Sequence, residues 1–278
     1  MDSLVPGLVR DQIGEIGIWS DGDLFARSGV IVAFSERAGG VSAPPFESLN
    51  LAAHVGDGAG AVDENRRRLL VALRIESAGN RLTLADQVHG ERIQRITSEC
   101  AGAGASAFAR GAPAISATDA LFTTEADTPL LMCFADCVPV VLVGPGPVVA
   151  VVHAGWRGAL ASLPGKCVTR MAQETGCAPY EVLAYIGPHI GSCHYETSDE
   201  IMSHFVNTFG TFARAESGGL DLDAAVTASL VDAGVAQCNI ARLGQCTAET
   251  TDRFFSYRAE GGLTGRHSAL ACIVSAGS

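Results

Sequence analysis

The chain has 278 residues, 47% of them hydrophobic and 18% charged, with a formal net charge of −11. This length and composition suit one large globular domain with a full core and exclude a disordered chain. The acidic balance argues against loose contact with nucleic acid or anionic membrane, and no apolar run reaches the ~20 residues that a membrane span needs.

From the N-terminus, residues 1–24 read as a peripheral extension and residues 25–278 as a single catalytic domain. The opening MDSLVPGLVRDQIGEIG carries acids and Pro6 and lacks the basic-then-apolar pattern of a secretory leader. Val30 to Ser35 (VIVAFS) predicts a buried strand, followed by the Gly/Pro-rich loop RAGGVSAPPFESLN. In VDENRRRLLVAL the acids fall in the first turn and Val62, Leu69, Leu70 and Leu73 share one side, which predicts a helix. The run Arg66-Arg67-Arg68 is then expected on its solvated face. Two short apolar runs around QVHG read as strand, turn, strand, and residues 101–116 as a small-residue loop.

Next come DALFTT, TPLLMCFADC with PVVLV, and PVVAVVH, whose β-branched density and short breaks predict a central sheet. Helical patterns follow. One starts after Gly158 and is disturbed by Pro164. A second runs from Ser198 to Phe209, with Thr197 and Glu200 at capping-box spacing. The third runs to Gly234, with Asp221 as its cap. LAYIG, CNIARL and ALACIV read as further strands. No repeat or linker appears, so the expected fold is a single α/β (α+β) domain with one mixed sheet or two. The nine cysteines are spread without tight pairing, which suits reduced, mostly buried residues in a cytoplasmic protein.

Three side chains stand where apolar runs give way to turns: His89 in QVHG, Cys137 in FADC and His153 in VVHAGWRG. Two imidazoles and a thiolate are good zinc ligands, and a three-ligand set leaves one tetrahedral position open. The same Cys137 and His153 also permit a cysteine nucleophile paired with an imidazole, with Asp136 or Gln87 orienting the ring. Spacing does not separate the two readings. Arg157, four residues after His153 at the start of an expected helix, suits an anion or simply caps its own loop. Trp156 can stack on a flat ring or close the core edge. In YIGPHIGSCHYET, His189, Cys193 and His194 form either a second metal cluster or a solvent-facing loop. Arg258 and Arg266 are further anion candidates. The RAGG loop offers amides to a phosphate but lacks the P-loop lysine and the G-x-G-x-x-G spacing.

The motifs FSERAGGVSAPPFESLNLAAHVGD, DENRRRL, QVHG, TDALFT, ADCVPVVL, HAGWRG, IGPHIG with YE, CT and FFSYR occur in one order over roughly residues 30–275. In this the sequence resembles the polyphenol oxidase or laccase-domain family, whose members act chiefly as purine nucleoside phosphorylases with adenosine deaminase and methylthioadenosine phosphorylase activities. The resemblance implies a compact β-sandwich flanked by helices, related to cysteine-hydrolase-like toxin domains. It also implies a metal site on His89, Cys137 and His153. His189 and the pair Cys193-His194 depart from the family pattern, which usually has a small residue after Gly-Pro and often Cys-Cys before Tyr-Glu. Thr197 stands where valine is common.

The expected enzyme is therefore a purine nucleoside phosphorylase and adenosine deaminase that holds Zn²⁺, or Cu²⁺ at the same site, and uses inorganic phosphate as co-substrate. The catalytic candidates are Cys137, His153, Arg157 and Asp136. Arg37, Asn50, Gln87, Trp156, Glu196 and Arg258 are the candidates for contact with the nucleoside and phosphate. The alternative is a Cys–His amidohydrolase acting on a cell-wall precursor. A multicopper oxidase fits less well, because seven histidines without an H-x-H pair supply too few ligands.

Overall fold

The computed structural model of the protein describes residues 5–108 and 111–275. The first half contains β1 (Val9–Ile13), β2 (Ile16–Ser20), α1 (Gly22–Ser28), β3 (Val30–Ser35), α2 (Ala59–Ala72), β4 (Thr83–Leu84), β5 (Ile93–Ile96) and β6 (Ala120–Thr123). The second contains β7 (Leu130–Phe134), β8 (Val138–Gly144), β9 (Val148–Ala154), α3 (Trp156–Leu160), α4 (Leu163–Thr175), β10 (Leu183–Ile186), α5 (Asp199–Phe209), α6 (Leu222–Asp232), β11 (Ile240–Arg242) and β12 (His267–Ile273). The strands form two six-stranded mixed sheets, ordered β1-β2-β3-β12-β7-β4 and β11-β10-β8-β9-β6-β5.

Period-two alternation divides each central strand between two cores. Val30, Val32 and Phe34 of β3, Leu130, Met132 and Phe134 of β7, and Val149 and Val151 of β9 fill the layer between the sheets. The alternate residues face outward. Val148, Ala150 and Val152 pack on α3 to α6, while Ile31, Leu131 and Leu270 pack with Leu69 and Leu70 of α2. Burial on both faces explains why these strands read as unbroken apolar runs. The mixed α/β class with two sheets agrees with the sequence reading.

Several local expectations change. VRDQIGEIGIWS, given no strand by the sequence reading, is an antiparallel hairpin whose β2 pairs with β3, so β1 and β2 form the edge of the first sheet. Tyr185, buried between the sheets, donates its hydroxyl to Asp21 at 2.8 Å, which also caps α1 through the Leu24 amide. Arg66 does not share the solvated face of Arg67 and Arg68. It is 5% exposed and donates to the carbonyls of Leu51, Gly104 and Ala105. Orphan carbonyls of two loops need a buried donor there, whereas Arg67 and Arg68 pair with Glu64 at the surface.

Pro164 lies just after the break that divides the helical pattern into α3 and α4. It sits in the first turn of α4, where its missing N–H is no loss. Ser198, not Thr197, caps α5 by accepting from the Ile201 amide, and the Thr197 hydroxyl is buried without a partner. Asp221 caps α6 as expected, accepting from the Ala224 amide.

Candidate active site

His153 continues the row of Val149 and Val151 and so points between the sheets, at the end where β9 leaves the core. Its ring lies 5.3 Å from that of Phe134 on the opposite sheet and 4.8 Å from that of His89. The donor atoms of His89, Cys137 and His153 all lie within 4.8 Å of one another. The structure thus gathers three residues that are 48 and 16 positions apart in sequence.

Asp119, which the sequence reading did not single out, organises this convergence. Its fully buried carboxylate accepts the amides of Val88, His89 and Gly90, the last at 2.7 Å. It also meets His153 Nδ1 at 2.8 Å. One acid therefore shapes the QVHG loop, including His89 at its left-handed φ of 58°, and fixes the second imidazole. Burial raises the Asp119 pKa, but the hydrogen bonds from His153 and the loop amides outweigh that and hold it below the usual carboxylate range. The signal available in the sequence was its place in TDALFT, immediately before a buried strand.

With Nδ1 engaged, the other ring nitrogen of His153 serves Cys137. Burial alone would push this thiol up, as it does for Cys133, which rises to about 11. At Cys137 the charge of His153 and hydrogen bonds from both imidazoles reverse the direction, favouring a thiolate facing an imidazolium. Gly155 makes room for this. A Cβ there would lie 2.8 Å from His89 Cδ2 and 3.1 Å from Cys137 Sγ, so the first glycine of HAGWRG is required by space, its φ of −67° being ordinary.

The trio opens into a cavity of about 500 Å³, a size suited to a small-molecule ligand. Trp156, Arg157, Tyr195, Tyr257, Arg258 and Arg266 also line it. The Arg157 guanidinium lies over the Trp156 ring at 4.4 Å. Arg258 is held by the carbonyls of His194 and Glu196, and Arg266 by those of Thr264 and Gly265. Among the described residues, none of these three arginines has a carboxylate ion-pair partner. His54 was also missed in the sequence; burial and the nearby Arg266 lower its pKa and favour the neutral ring.

Other sequence candidates are engaged largely with the protein itself. Asp136 does not orient His153; its carboxylate accepts from Thr247, Ser256 and the Arg258 amide, each at 2.7 Å, and so braces the loop that carries Arg258. Gln87 lines the cavity, but its amide exchanges two hydrogen bonds with the Cys133 backbone, the pairing left open at the sheet edge. Arg37 lies outside the cavity lining, ion-paired to Glu260 at 2.9 Å. The amides of Gly40, Val41 and Ser42 are taken by Ser48 and Asn65, so these three are already engaged within the protein. Asn50 is fully buried and bridges Ala52, Asp57 and the Arg266 amide, a loop clasp behind the cavity. Glu196 is exposed and contributes its carbonyl to Arg258. His189 turns inward, its Nδ1 on the Gly187 carbonyl at 2.9 Å, away from Cys193 and His194.

Fold and cavity together define a two-sheet α/β protein with a thiol–imidazole centre where the sheets part. A family profile described as multi-copper polyphenol oxidoreductase laccase matches residues 31–274, and the chain belongs to that family. It is 37% identical over 253 residues to purine nucleoside phosphorylase YlmD of Geobacillus stearothermophilus, covering 87% of this chain and 90% of the relative. It is 32% identical over 252 residues to purine nucleoside phosphorylase YfiH of Escherichia coli, covering 88% and 95%. The crystal structure of YlmD from Geobacillus stearothermophilus superposes with a TM-score of 0.87 at 35% identity, over 96% of this chain and all (100%) of that one.

Proposed function

We propose that the chain is a metal-dependent purine nucleoside phosphorylase acting on adenosine, inosine, guanosine and methylthioadenosine, with adenosine deaminase activity at the same centre. The observation that carries this reading is the placement of three arginines, without acid partners among the described residues, beside the His89–Cys137–His153 trio in one cavity. In a protein of net charge −11, cations left unpaired in a cleft are suited to an anionic substrate. The relatives, named as purine nucleoside phosphorylases, support the same class.

Arg157, Arg258 and Arg266 would hold inorganic phosphate for attack on the ribose C1′ while the purine leaves. Trp156, Tyr195 and Tyr257 offer flat surfaces for the base. The donor set fits a zinc-class ion, since the thiolate is already favoured and Asp119 fixes the imidazole that must present its free nitrogen. Cu²⁺ can take the same ligands. When bound, the ion supplies Lewis acidity. The chain's own residues bind phosphate, orient the nucleoside and exclude water. Free cysteines and the lack of any helix, among the described residues, long and apolar enough to cross a membrane fit a cytoplasmic setting.

The test is incubation of zinc-loaded protein with adenosine and phosphate. Adenine and ribose 1-phosphate are expected from phosphorolysis, with inosine and ammonia from deamination, all lost in Cys137→Ala. If none of these products forms, the reading fails.

A second reading has one specific observation behind it: Cys137, His153 and Asp119 also stand in the order of a nucleophile, base and orienting acid. Amide hydrolysis of a cell-wall precursor that survives complete metal chelation but not thiol alkylation would favour it.

A further inference from the structure

On the wall beside the cavity, the loop after β10 meets the segment that follows β11. Cys193 and His194 from the first face Cys246 and Glu249 from the second, and the donor atoms of Cys193, His194 and Cys246 all lie within 4.8 Å of one another. None of the four residues lines the cavity. The pairwise separations are 3.1 Å from Cys193 Sγ to His194 Nδ1, 3.7 Å from Cys246 Sγ to the same nitrogen, and 3.3 Å from Cys193 Sγ to Glu249 Oε1. Glu249 Oε1 lies 3.6 Å from His194 Nδ1. Metal bonds of ~2.0–2.3 Å at tetrahedral angles place neighbouring ligand atoms roughly 3.3–3.8 Å apart. Three donors of the right chemistry thus lie within reach of one ion, with Glu249 beside two of them.

We infer that Cys193, His194 and Cys246, with Glu249 alongside, form a second metal site, separate from the cavity, that takes a thiophilic divalent cation of the zinc class. Two sulfurs, an imidazole and a carboxylate select for zinc over hard cations such as calcium or magnesium. The surrounding backbone is arranged for a thiolate: the Gly191 amide donates to Cys246 Sγ at 3.2 Å. Any Cβ at Gly191 would lie 3.2 Å from Cys193 Sγ and 3.4 Å from Cys246 Sγ, so that turn is closed down on both sulfurs.

The sequence alone suggested His189 with Cys193 and His194. The structure replaces His189 with Cys246, which pairs with it through a backbone bridge, and sets Glu249 against Cys193 and His194. The site would staple two loops that both support the cavity. The His194 and Glu196 carbonyls hold Arg258, Tyr195 stands between them, and Thr247 holds Asp136. Its role is to brace that wall.

The test is titration of full-length protein, stripped by chelator under reducing conditions, with Co²⁺ as the spectroscopic probe. Wild type should take up about two equivalents. Cys137→Ala should retain one, with the visible bands of tetrahedral cobalt and thiolate charge transfer. The double variant Cys193→Ser with Cys246→Ser should lose that equivalent and keep the other. Glu249→Gln, at an exposed position, should weaken the same equivalent and serves should the double variant misfold. The inference is overturned if folded Cys137→Ala binds no cobalt, or if unreduced protein carries a Cys193–Cys246 disulfide that forms in place of the metal complex. Both readouts are independent of catalysis.

Discussion

At the scale of single residues, Asp119 decides whether the centre exists. Its carboxylate serves four donors at once: three amides of the QVHG loop and the His153 ring. Asp119→Asn turns one oxygen into an NH₂ group, which must face either those amides or the imidazole, and each of those positions needs an acceptor. The expected result is a loss of about 10–100-fold in metal affinity, the usual effect of removing a ligand's orienting partner. The phosphorolysis rate should fall with it while the far-ultraviolet circular dichroism stays native. Metal titration of the variant is the measurement. Unchanged affinity would show that His153 needs no orienting acid.

At the scale of elements, the start of α5 gives a paired prediction. Ser198→Ala removes the oxygen that accepts from the Ile201 amide and should cost about 1 kcal/mol. Thr197→Val removes a buried hydroxyl that has no partner, keeps the side-chain shape, and should stabilise by about 1 kcal/mol. Urea denaturation of both variants, with midpoints shifting in opposite directions, checks the assignment; equal losses would mean that both residues cap. The confusion of these neighbours shows where sequence reasoning stops. Spacing identifies a helix start, but the cap depends on which side chain the backbone turns toward the first amides. Central strands such as β3, β8 and β9 were legible because both faces are buried. The β1–β2 hairpin was not, since VRDQI is exposed along its whole length and carries no apolar pattern. Of the site, His89, Cys137 and His153 could be picked out because each ends an apolar run. Asp119 showed only its place before a buried strand in TDALFT, because its role arises from contacts about 30 positions away, and Arg37 and Asn50 look alike in sequence whether they bind a ligand or clasp a loop.

At the scale of the whole molecule, buried polar groups tie the two sheets and their edges together and set the response to acid. Glu36, 3% exposed, gathers Arg10 of the hairpin, Trp19 and Arg253. Burial raises its pKa, but the hydrogen bonds from the two arginines and Trp19 outweigh this and hold it below the usual range. Its stabilisation is present above its unfolded pKa of about 4.3 and is lost as pH falls through the lowered native value. His267 acts in an earlier window. It is fully buried on β12, and among the described residues neither ring nitrogen reaches a partner at hydrogen-bond geometry. Burial pushes its pKa down to about 3, with the charges of Arg266 and Arg37 adding to the fall and the Pro188 carbonyl partly opposing it. Well above pH ~6.5 the ring is neutral in both states and exerts no pH effect. Below that the unfolded chain takes up a proton that the native state refuses, so stability falls with pH until the native value is reached. Between pH ~6.5 and 5 this single residue should remove roughly 1–2 kcal/mol. His267→Leu deletes the proton site, and its unfolding free energy should decline less over that interval than that of wild type by this amount. Urea denaturation at both pH values measures the difference, and parallel declines in the two proteins would show that His267 finds a proton acceptor in the folded state.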